Sequence, residues 1–75
     1  MNNEMLKTAS EVLKISIDEA QKHNKFLIDD DAYLFWKPVR GGGKLVIKTN
    51  GEKLTVGSLI DTETMLAMFR DGKRN

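Results

Sequence analysis

No cysteine occurs in the 75 residues. That absence excludes a disulfide framework and a thiolate metal site, and folding needs no oxidising compartment; a cytoplasmic location is the expectation. Histidine occurs once, at His23, so any Ser-His-Asp or multi-histidine metal arrangement has to be built around it. Ser10, Ser16 and Ser58 stand in no nucleophile-elbow context. The expected protein is therefore not an enzyme and carries no cofactor or metal. No stretch approaches the roughly 18 apolar residues that cross a bilayer, and the opening residues lack a basic start followed by an apolar run. A membrane partner is not expected.

A strong charge bias is missing too. Twelve basic side chains stand against 11 acidic ones, which excludes a strongly basic nucleic-acid binder. Residues 1–37 hold 5 basic and 7 acidic side chains and residues 38–75 hold 7 and 4, so positive charge gathers mildly in the second half. The length suits one domain, residues 1–75, with a small core.

What is present is periodic. Met5, Leu6, Ala9, Val12, Leu13, Ile17 and Ala20 share one stripe at 100° per residue, which predicts an amphipathic helix over residues 5–23. Asn24 is its expected left-handed terminator. Ser16 and His23 project onto the stripe and Ile15 lies off it. A strand follows over residues 32–37, closed by Pro38, the chain's one proline. Asn50-Gly51 then marks a hairpin whose two-residue turn would pair Ile47 with Leu54 and Leu45 with Val56. That register puts those four on a core face and leaves Val46, Lys48, Lys53 and Thr55 facing water. Asp61 starts a second helix as N-cap, with Ile60 and Met65 placed as a hydrophobic staple, and Gly72 ends it. Lys73-Arg74 would fray. The expected fold is α+β, with a helix, a three-stranded antiparallel meander and a helix (αβββα).

Three features could carry chemistry. Arg40, Gly41, Gly42, Gly43 and Lys44 could cradle an anion on backbone amides, but the glycines run into a strand and not into a phosphate-binding helix, which favours a hairpin connection. Asp29, Asp30 and Asp31 are oxygen ligands in type, yet consecutive residues point apart, so a solvated turn is expected. The first strand is apolar on both sides, with Ala32, Leu34 and Trp36 on one and Tyr33 and Phe35 on the other. One side needs a cover, which could be the domain's own helix, a second copy or another protein.

The expected exposed face comprises Tyr33, Phe35 and Val46, with Trp36 and Arg40 as the residue types that interfaces favour. The function these readings imply is a non-enzymatic protein-interaction module that self-associates as a homodimer through this face. The alternative is a weak nucleic-acid or phosphate-ligand binder using residues 40–44, or bases stacked on the strand aromatics.

Overall fold

Lys14 has a backbone φ of 57°, in the left-handed region that ends helices. The expected single helix is consequently two, seen in a computed structural model that describes residues 3–75. Helix α1 spans Asn3–Leu13 and α2 spans Ile17–Lys22. Beyond Lys14, the Ile15 amide donates to the Ser10 carbonyl at 3.1 Å, the long bond of a Schellman stop. Ser16 immediately starts the next helix. Its hydroxyl accepts from the Glu19 amide at 3.1 Å while its own amide donates to the Glu19 carboxylate at 3.3 Å, a reciprocal capping box. Ile15 and Ser16, two of the three misfits of the helical stripe, are the connector.

Asn24 ends α2 through its side chain rather than through a left-handed backbone. Its amide donates to the carbonyls of Ala20 and Gln21, both at 2.9 Å. The backbone is already extended there, and β1 spans Asn24–Leu27. This strand adds a fourth to the three expected. Strands β2 (Ala32–Trp36), β3 (Lys44–Lys48) and β4 (Lys53–Val56) continue an antiparallel meander in the order β1-β2-β3-β4. Helix α3 spans Thr62–Arg70.

The β3–β4 turn corrects the expected register. Lys48 and Glu52 pair around three residues, Thr49 to Gly51, with the Lys48 amide donating to the Glu52 carbonyl at 2.8 Å and Gly51 at φ +97°. One extra turn residue shifts every partner. Val46 lies opposite Leu54 and Leu45 opposite Thr55. Leu45 and Ile47 therefore face one way, and Val46, Leu54 and Val56 the other.

Both faces of the sheet are buried by the chain's own helices. Met5, Leu6, Ala9 and Leu13 of α1 and Ala20 of α2 pack with Phe35, Leu45 and Ile47. On the opposite face, Met65 and Phe69 of α3 pack with Ala32, Leu34, Val46 and Leu54. The sheet is thus the middle of three layers. Each fully buried large apolar side chain contributes roughly 1.5–3 kcal/mol of transfer free energy, so two thin cores share the work in this short chain.

The start of α3 follows the sequence reading. Asp61 accepts from the Thr64 amide at 2.7 Å, and Ile60 and Met65 join the same apolar cluster. The tail does not fray. Arg74 lies 3.7 Å above the Phe69 ring centroid, donates to the Phe69 carbonyl at 2.6 Å and pairs with Glu52 at 2.9 Å.

Candidate functional site

The strand face expected to be exposed is covered. Phe35 is fully buried on the α1/α2 side and Val46 fully buried on the α3 side, so neither belongs to a surface. Their separation follows from strand pairing. Phe35 lies opposite Leu45 and Leu34 opposite Val46, which places Phe35 and Val46 on opposite sides of the sheet. Tyr33 and Trp36 are half-buried, Tyr33 against the α1/α2 cluster and Trp36 against the α3 cluster. The four residues do not form one site.

The glycine segment is a hairpin connection in which the Gly42 amide and the Lys44 ammonium are already engaged. The Gly42 amide donates to the Val39 carbonyl at 3.0 Å, and the Gly43 carbonyl accepts from the Lys37 amide at 3.1 Å. Lys44 reaches away from the loop, its ammonium donating to the Ile60 carbonyl at 2.8 Å. A side chain at Gly42 would stand 2.7 Å from the Lys37 carbonyl oxygen, and one at Gly43 would stand 2.9 Å from that of Val56. Close backbone approach therefore accounts for glycine at 42 and 43, and Gly41, at φ +78°, supplies a left-handed turn position. Arg40 is exposed.

The three aspartates diverge within the β1–β2 turn, where Asp31 is left-handed at φ 50°. Asp30 turns to Arg70 on α3, while Asp31 accepts from the Thr49 hydroxyl at 2.6 Å. Arg70 holds the Asp30 carboxyl below the ordinary carboxylate range by hydrogen bonding, and Lys48 adds positive potential. Asp29 is exposed beside them.

The two edges of the sheet differ. In an antiparallel ladder, alternate residues direct both amide and carbonyl to the same neighbour. The Lys48 to Glu52 bond fixes which residues of β4 face inward, so Lys53 and Thr55 face out. Three of their four outward groups are occupied: the Asn75 amide donates to the Lys53 carbonyl at 3.0 Å, the Thr55 amide donates to the Asn75 side-chain oxygen at 2.8 Å, and the Asn75 side-chain nitrogen donates to the Thr55 carbonyl at 3.0 Å. The β4 edge is largely covered by one residue acting as a strand.

At the opposite edge the Trp36 amide donates to the His23 carbonyl at 3.3 Å, which fixes the alternation there. His23, Lys25 and Leu27 bond inward and Asn24 and Phe26 point their backbone groups outward. Among the described residues, nothing occupies those outward groups. Phe26 is 43% exposed and Ile28, just beyond the strand, 79% exposed. The Phe26 ring stands 4.8 Å from that of Tyr33, its cross-strand partner, and Tyr33 stands 6.4 Å from Phe35, so aromatic rings run from the buried core to the open edge.

The sequence signal for this strand is weak, because its four residues include two polar ones and follow directly on a helix. Phe26-Leu27 was the available signal. Comparison of the chain with protein-family models, with curated proteins and with solved structures finds no match.

Proposed function

We propose that this chain is a small protein-interaction module that self-associates by adding a strand to the β1 edge. The observation that carries the reading is the asymmetry of the sheet. Asn75 bonds three of the four outward backbone groups of β4, whereas among the described residues the outward groups of Asn24 and Phe26 are open beside exposed apolar side chains. Unpaired edge amides and carbonyls template a further strand, and proteins that keep such an edge solitary commonly blunt it with proline, a bulge or a covering element. β1 is short and carries Lys25, both of which weaken an edge, but it has no proline and its edge backbone is uncovered among the described residues. The reading keeps association as the activity and moves it from the buried β2 face to the neighbouring strand.

Sedimentation equilibrium across micromolar to millimolar concentrations tests it. The expected result is a concentration-dependent rise from 8.5 kDa towards twice that mass. Phe26→Pro, which deletes an outward amide without touching the β1–β2 ladder, should abolish the rise while far-ultraviolet circular dichroism stays unchanged. A wild-type chain that remains at the single-chain mass throughout overturns the proposal.

A further inference from the structure

We infer that the partner at this edge is a second copy paired antiparallel, with its two-fold axis passing through Phe26. The inference rests on the self-association reading and adds the register. Outward-facing residues must meet outward-facing residues, so Asn24 and Phe26 can oppose only residues of their own parity. Four symmetric registers keep that rule within reach of the strand.

An axis through Asn24 would set Phe26 against the partner's Lys22, which belongs to α2 and presents no strand backbone. An axis through Lys25 would set two ammonium groups directly opposite each other, a destabilising cross-strand pair. An axis through Leu27 would need Ile28 to extend the strand, but the Asp30 amide folds back onto the Leu27 carbonyl at 3.1 Å and ends it there. An axis through Phe26 also sets Asn24 against the partner's Ile28 beyond the strand end, but it keeps one outward pair, Phe26 with Phe26, inside β1 and opposes no like charges.

That register also matches charge and shape. Antiparallel pairing lays the basic entry of one strand, Lys22 and Lys25, beside the acidic exit of the other, where Asp29 is exposed. Lys25 falls opposite the partner's Leu27 and diagonal to the partner's Asp29, within reach of a long side chain. A two-fold axis normal to the sheet keeps faces continuous. Phe26 therefore meets the partner's Phe26 on the α1/α2 side, extending the Phe26–Tyr33 pair into four adjacent rings.

The absence of native cysteine makes a direct test simple. Asn24→Cys, Lys25→Cys, Phe26→Cys and Leu27→Cys variants are each oxidised mildly and the yield of covalent dimer compared. A symmetric disulfide forms readily only where a residue lies nearest its own copy, so position 26 should exceed the others several-fold. Preferential linkage at 25 or 27, or none at any position in a chain that is dimeric by sedimentation, overturns the register and leaves self-association standing.

A second measurement leaves Phe26 intact. Lys25→Glu and Asp29→Lys variants should each dimerise several-fold more weakly than wild type, and their mixture should recover the lost affinity as a heterodimer. A mixture no tighter than its components overturns the charge pairing. A wild-type chain that never dimerises overturns this inference together with the proposal beneath it.

Discussion

Arg70 and Asp30, 40 residues apart in the chain, form a two-pronged pair: Nε donates to Oδ1 at 2.9 Å and Nη2 to Oδ2 at 2.8 Å. The pair ties the last turn of α3 to the β1–β2 turn, across the boundary between helical layer and sheet. Asp30 is the more enclosed partner, with 12% of its side chain exposed.

The pH dependence of stability should carry its signature. Because the folded-state pKa of Asp30 lies below its unfolded value, the contribution is fully present above the unfolded value of about 3.9 and is lost as pH falls through the folded one. Glu52 and Asp61 are shifted in the same direction by their own hydrogen bonds and add to the same acid limb. Urea denaturation of wild type and Asp30→Asn between pH 2 and 7 should give stability curves that converge on the acid side. A constant gap across that range would mean that the ionised carboxylate contributes nothing.

The three-layer arrangement predicts that Phe35 and Val46 are both core residues, although they face opposite ways. Phe35→Ala should cost about 3–5 kcal/mol, and Val46→Ala roughly 2 kcal/mol from two buried methyl groups and the space they leave. Chemical denaturation midpoints measure both. If Val46→Ala were neutral, the register of the β3–β4 hairpin described above would be wrong.

The glycines divide by what surrounds them. Gly42→Ala drives a methyl group against backbone and should destabilise by about 1–3 kcal/mol. Gly57→Ala meets nothing within 4 Å and has no positive φ, so it should be neutral or stabilise by up to about 1 kcal/mol. Thermal unfolding should place Gly42→Ala below the wild type and Gly57→Ala at or slightly above it; a Gly42→Ala variant as stable as the wild type would contradict the close backbone approach.

The seal on β4 has a local readout. In Asn75→Ala the Thr55 amide loses its 2.8 Å acceptor, so its hydrogen exchange should accelerate while that of Val46, deep in the sheet, stays near the global rate. Equal protection in variant and wild type would show that water or a neighbouring group replaces the asparagine without loss.

Much of this fold was legible because local rules agreed with the tertiary outcome. Asp61, Ile60 and Met65 carried a complete helix start, and Asn50-Gly51 marked a real turn. What misled was parity. One additional turn residue reverses which side chains face which layer, and no nearby residue announces the count. The break at Lys14 was hidden for a related reason: a lysine in the left-handed conformation has no sequence signature, although the stray positions of Ile15 and Ser16 marked the place. The open edge was less visible still, since being last in a sheet is a property of the neighbours and not of the four residues themselves.

The asparagine that closes β4 also decides how large any assembly through β1 can become. A sheet with two free ends can lengthen copy by copy into a fibre, whereas one with a single free end stops growing at the first junction. By this geometry the two copies would share one eight-stranded sheet whose outer margins are both stoppered. In the pair proposed above, loss of the Asn75 contact would expose a second edge on each copy and let the sheet lengthen further.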